Sequence, residues 1–158
     1  MLTGLAHVAV CVPDVEAAVD WYSSVLGLEV LSPPYLMQGE AIEHDMGELV
    51  PSPVALKAAI VGVQHTDNVI EVIEYPNARQ LPHDGPADLT RVGLTHVGLL
   101  CDDLAATRAE LEERGVHFLT TGVADVANVR TTWFRDPWGL VFILVEKSKP
   151  EAPYWRQY

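Results

Sequence analysis

An α+β fold made of two tandem βαβββ modules is predicted for this chain. Three observations predict it: a segment near the N-terminus recurs in the second half, a helical apolar pattern follows each copy, and two strand signals close each copy. The recurrence is direct. Gly4-Leu5-Ala6-His7-Val8-Ala9-Val10 aligns without a gap on Gly93-Leu94-Thr95-His96-Val97-Gly98-Leu99, and the match continues from Asp14-Val15 to Asp103-Leu104.

The elements follow in order. Each copy opens on a strand, after which Val15, Ala18, Val19, Tyr22 and Leu26 recur at helical spacing, as do Leu104, Thr107, Arg108 and Leu111. Asp14 and Asp103 stand where an N-cap is needed. Gly27 and Gly115 stop the two helices and lead into short apolar strands at 28–31 and 116–119. Further strands are expected at 54–63 and 69–75 in the first copy, and at 129–135 and 140–147 in the second. The turn Asp136-Pro137-Trp138-Gly139 joins the last pair, proline pre-setting φ and glycine allowing it to be positive. Pro76, Asn77, Pro82, Gly85 and Pro86 mark a linker. Module one therefore covers 1–75, the linker 76–91, module two 92–147 and a C-terminal tail 148–158, all within a single domain.

Composition supports a folded core and narrows the partners. Of the 158 residues 49% are hydrophobic and 20% charged, a globular balance, and a chain of this length buries roughly 70% of its unfolded surface. Acidic residues number 22 against 10 basic ones, a net charge of -12, which repels phosphate backbones and anionic lipid surfaces. Neither nucleic acid nor membrane is expected as a partner. The field favours, weakly, a neutral or cationic ligand over a polyanion. With neither a membrane-length apolar run nor a signal-like N-terminus, a cytoplasmic location is expected. Cys11 and Cys101 have no zinc-type spacing and read as small buried hydrophobes.

Strand alternation singles out a candidate site. Val8, Val10 and Val12 share one face of the first strand and pack on its helix, leaving His7, Ala9 and Cys11 on the other; His96, Gly98 and Leu100 face the same way in the second copy. Overlaying the closing strands sets Glu71 against Ile143 and Glu74 against Glu146, the latter pair having the opposite parity. A lone strand histidine is usually structural, but two at equivalent positions with a strand glutamate supply the donors of a 2-His-1-carboxylate metal site. His7, Glu71 and His96 are thus candidate ligands for one divalent ion, iron, manganese, nickel, zinc or cobalt. The plainer alternative is symmetry inherited from a duplicated ancestor whose chemistry has gone.

These segments resemble the vicinal oxygen chelate superfamily, which includes glyoxalase I, methylmalonyl-CoA epimerase, extradiol dioxygenases and bleomycin resistance proteins. The resemblance rests on His7, on Trp21-Tyr22-Ser23-Ser24-Val25-Leu26-Gly27, on Val69-Ile70-Glu71-Val72, on Thr95-His96-Val97 and on Arg135-Asp136-Pro137-Trp138-Gly139. It implies paired βαβββ modules forming a U-shaped mixed sheet around a cleft, with a metal ligand from the first and last strand of each module. Three of those four positions are filled here; the fourth is Ile143, which has no donor atom.

The resemblance implies two readings of function. In the first, a divalent-metal-dependent enzyme of glyoxalase or dioxygenase type, a lyase, isomerase or ring-cleaving oxygenase, acts on a small oxygen-rich substrate, Glu71 ligating the metal or moving a proton. In the second, a metal-free protein of bleomycin-resistance type sequesters a small molecule by stacking; the acidic charge and Ile143 favour it.

Trp133 is a candidate wall of the substrate pocket by its strand parity, a core role being the alternative. Trp21 and Trp138 read as packing and turn residues. The 32–53 stretch mixes acidic and apolar residues as lids do, and His44 within it offers a replacement ligand or is an exposed loop residue. His65, His83 and His117 read as solvated. A homodimer is expected from the resemblance, since a curved half-open sheet leaves strand edges to cover.

Overall fold

The computed structural model describes residues 1–81 and 85–157; His83 lies outside them. The chain divides into two compact units, Met1–Leu81 and Pro82–Tyr158. Each carries one four-stranded sheet.

The first unit runs β1 (Val8–Cys11), α1 (Val15–Ser24), β2 (Glu29–Gln38), α2 (Glu40–Met46), β3 (Ala55–Gly62) and β4 (Val69–Glu74), with its sheet ordered β1-β4-β3-β2. The second runs β5 (Val97–Cys101), α3 (Leu104–Glu113), β6 (Ala124–Val126), β7 (Val129–Arg135) and β8 (Val141–Lys147), ordered β5-β8-β7-β6. In both, the opening strand lies parallel to the closing one and the remaining pairs are antiparallel. The duplicated sequence gives a duplicated topology, the α+β fold of two βαβββ modules.

Helices α1 and α3 are each capped from two sides. Asp14 Oδ1 accepts from Ala17 N at 2.9 Å and Asp103 Oδ1 from Ala106 N at 3.0 Å, as their positions predict. The strand glutamates of opposite parity do the rest: Glu74 Oε2 accepts from Val15 N at 3.1 Å and Glu146 Oε2 from Leu104 N at 2.7 Å. These carboxylates meet otherwise unpaired helix N–H groups and the positive end of the helix dipole. They also fix the orientation of β4 and β8, so Glu74 and Glu146 face the helices and Glu71 and Ile143 face away.

The helix-facing sides hold much of the core. Val10, Val15, Ala18, Tyr22, Val61 and Val72 are buried in the first unit, and Leu104, Leu111, Phe134 and Phe142 in the second. Phe134 stacks on Phe142 with ring centroids 5.1 Å apart. Full burial of each valine, leucine or phenylalanine among them contributes about 1.5–3 kcal/mol. At the closing turn Asp136 Oδ1 accepts from Trp138 N at 2.9 Å and Leu140 N at 2.8 Å, and Gly139 takes φ 98.

Three local expectations are corrected. The strand expected at 28–31 extends to Gln38: β2 is an edge strand, and two register shifts between Val30 and Tyr35 accommodate Pro33 and Pro34, which lack N–H groups. The 32–53 stretch is accordingly strand and then helix. There α2 seats Ile42 in a cluster with Val54, Leu56 and Ala58, against which Met46, Ile73 and Tyr75 pack. In the second unit, 116–119 makes only an isolated bridge, Phe118 to Phe134, and the strand pairing with β7 is β6. Thr120 Oγ1 accepts from Trp133 N at 3.2 Å and Arg108 Nη1 holds Gly122 O at 2.6 Å, so side chains replace the ladder between the two pairings.

Candidate metal and ligand site

The first unit brings two of the three expected ligands together. His7 immediately precedes β1, and Ala9 stands opposite Glu71 in the parallel β1–β4 register, so alternation directs both side chains away from α1. His7 Nε2 lies 3.2 Å from Glu71 Oε2, with side-chain exposures of 47% and 23%. Two donors held about 2.1 Å from one ion are roughly 3.0 Å apart at a right angle and 3.4 Å apart at a tetrahedral one. The observed spacing falls between these values, and nitrogen with carboxylate oxygen suits a borderline divalent ion. The pair therefore fits a metal.

Helix α2 flanks this pair. Its cluster includes Ala58 and Ile73, which pair with each other across β3 and β4 on the face of Glu71. Glu43 on the same helix accepts from Val54 N at 2.6 Å and from Ser52 Oγ at 2.8 Å, tying the following loop to α2. His44 is exposed.

The second unit keeps a histidine and lacks the carboxylate. His96 immediately precedes β5, and its Nδ1 is 2.8 Å from Thr95 Oγ1. Its ring meets Trp133 edge to face, with centroids 4.9 Å apart and planes at 76°. Trp133 pairs with Ile143 across β7 and β8, and Ile143 with Gly98 across β8 and β5. A Cβ on Gly98 would lie 3.6 Å from Ile143 Cγ2, so the isoleucine fills the place where a ligand is expected with apolar surface. Trp133 is half-buried and faces away from α3, as its parity predicts. Neither unit by itself gathers His7, Glu71 and His96.

The sequence profile of the Glyoxalase/Bleomycin resistance protein/Dioxygenase superfamily matches residues 4–144. The chain belongs to this superfamily. An uncharacterized Escherichia coli K12 protein, YaeR, is 29% identical over 141 residues, 89% of this chain and 94% of YaeR. Among solved structures, a glyoxalase family protein from Bacillus cereus superposes with a TM-score of 0.78 at 16% identity, covering 92% of this chain and 95% of that one. TnmS3, an antibiotic binding protein from Streptomyces sp. CB03234, does so with a TM-score of 0.58 at 21% identity, covering 92% and 96%. These structural likenesses carry the fold alone.

Other groups in this superfamily member have different work. Asp14, Glu16 and Glu74 lie close enough to hold an ion. Asp14 and Glu74 cap α1, however, and Glu16 pairs with Lys57 Nζ at 2.5 Å, all on the helix side. Cys11, expected to be buried, is exposed because its edge strand turns it away from α1; Cys101 is half-buried. Partial burial and then the Glu74 carboxylate push the Cys11 thiol up, and burial raises Cys101, so both stay protonated at neutral pH and are poor ligands or nucleophiles. His65 and His117 are exposed. A cavity of about 540 Å³ lies at the β6–β7 hairpin, lined by Asp125, Asn128, Arg130, Glu146 and Ser148 among others; His96, Trp133 and Ile143 do not line it. No helix among the described residues is long and apolar enough to cross a membrane.

Proposed function

We propose that this chain is a cytoplasmic, divalent-metal-dependent enzyme of the glyoxalase or dioxygenase type, with His7, Glu71 and His96 as ligands to one ion and a small oxygen-rich molecule as substrate. The 3.2 Å approach of His7 Nε2 to Glu71 Oε2 supports the reading, since two donors on a shared ion can stand at that spacing. A bound divalent ion supplies Lewis acidity toward vicinal substrate oxygens. Glu71, with one carboxylate oxygen given to the ion, would keep a second oxygen to accept a substrate proton. Trp133 flanks the bound molecule and excludes water from one side. Proton removal next to a carbonyl, as in isomerases and lyases, and ring cleavage by an oxygenase remain alternatives within this reading.

The test is elemental analysis by mass spectrometry on protein purified without chelator. Near-stoichiometric metal is expected, and His7→Ala, Glu71→Gln and His96→Ala should each lose most of it. Unchanged metal content in the two histidine variants would refute the assignment.

A second reading, a metal-free small-molecule binder, is favoured by Ile143 and Trp133 standing opposite one another on the ligand face. TnmS3, similar in fold, is an antibiotic binding protein. This reading predicts no metal even after reconstitution, with tryptophan fluorescence quenched by ligand whether or not chelator is present.

A further inference from the structure

We infer that Arg135 is an anion-recognising residue of the ligand site and that the bound molecule carries a carboxylate; the inference rests on the reading of Trp133 and Ile143 as part of the ligand face. Arg135 ends β7 two residues beyond Trp133, so alternation turns both side chains away from α3. Arg135 pairs with Val141 across β7 and β8, while Val97 pairs with Phe142 across β5 and β8. The residue before Val97 is His96, which continues that register opposite Val141. Arg135, Val141 and His96 therefore occupy one rung of the sheet, about 10 Å across at the usual strand spacing.

Among the described residues the guanidinium has no acidic partner. Nη1 donates to Gly85 O at 2.9 Å, Nε is buried without a hydrogen-bond acceptor, and Arg135 belongs to none of the ion pairs among the described residues. Arg108, Arg114 and Arg130, by contrast, each hold a glutamate. With 22 acidic residues in the chain, carboxylates are abundant, yet the position diagonal to Arg135 on β8 is Ile143. A glutamate there would face the same side as the guanidinium and neutralise it. A partly desolvated, unpaired cation is costly, and the cost is recovered when a ligand brings the missing charge. Carboxylate suits the planar fork, which binds it through two parallel N–H groups. Binding in this way draws the guanidinium from the Gly85 carbonyl and uncovers Nε.

The experiment compares benzoate with benzamide, its neutral near-isostere, on metal-free dialysed protein. Calorimetry gives the affinities and the Arg135 Nε–Hε resonance reports the contact. Benzoate should bind at least about tenfold tighter than benzamide, the worth of a charge-assisted hydrogen bond, and it alone should shift that resonance. Arg135→Gln should abolish the preference, and Arg135→Lys should restore part of it. Equal affinities, no binding of either compound at millimolar concentration, or a preference surviving in Arg135→Gln would overturn the inference. If Arg135→Gln fails to fold, the resonance shift in the wild-type protein decides. No metal is present in the experiment, so its failure leaves the ligand assignment of His7, Glu71 and His96 standing, and metal loss in their variants would not mimic it.

Discussion

Thr95 sits beside a proposed ligand and controls which nitrogen that ligand offers. Its hydroxyl is 2.8 Å from His96 Nδ1, which leaves Nε2 as the nitrogen able to reach a metal, while the edge contact with Trp133 limits rotation of the ring. The equivalent residue before His7 is Ala6, which has no hydroxyl to play this part. Partners of this kind are worth roughly 10–100-fold in metal affinity. Thr95→Val should weaken binding of cobalt by about tenfold in a spectroscopic titration, and Thr95→Ser should retain it; equal affinity in all three proteins would show that the hydroxyl does not position the ring. At this scale the sequence exposed His7, His96 and Glu71 because duplication made two histidines coincide and alternation put an acid beside one. Thr95 and Arg135 carried no such mark. A hydroxyl or a guanidinium on a strand is ordinary until its partners, or their absence, are seen.

At the scale of elements, the closing strand of each unit fastens the helix of that unit. Glu74 meets the N-terminus of α1, and Glu146 meets that of α3 while also holding Arg130 Nη1 at 2.8 Å. Truncating Glu74 removes one cap and should cost about 1 kcal/mol. Glu146→Ala also strands Arg130 and should cost about 2 kcal/mol. Urea unfolding of Glu74→Ala and Glu146→Ala tests the order, and a larger loss from Glu74 would contradict it. Parity in the sequence puts both glutamates on the helix side, but their capping role depends on how close the helix start comes, which sequence spacing does not encode. The elements the sequence concealed have physical reasons of their own. Pro33 and Pro34 interrupt the strand pattern of β2, although an edge strand tolerates them through bulges. Helix α2 spans seven residues with Ile42 as its buried contact, too short for a period to show. The stretch before β6 pairs once, is interrupted by Thr120 and Gly122 contacts, and resumes.

For the whole molecule, association is set by the opposition of charge and exposed apolar surface. Among the described residues each sheet ends in unpaired edges, and the β2 edge exposes Val30, Tyr35 and Leu36. Such an edge favours coverage by another chain, and a homodimer is the expected state. A net charge of -12 on each copy opposes it. At about 0.01 M salt the screening length is roughly 30 Å and the repulsion extends across a protomer; at 0.15 M it is roughly 8 Å and acts only on near neighbours. Apolar burial changes little over that range, so the balance shifts toward association as salt rises. Light scattering should therefore find a mass near twice 17.3 kDa at 0.15 M salt, with dissociation on dilution into low salt. Leu36→Glu, which adds a charge to the apolar edge, should favour the monomer at both concentrations. A dimer that dissociates as salt rises would instead be held by ion pairs, and a monomer at every salt and protein concentration would mean that these edges remain uncovered in solution.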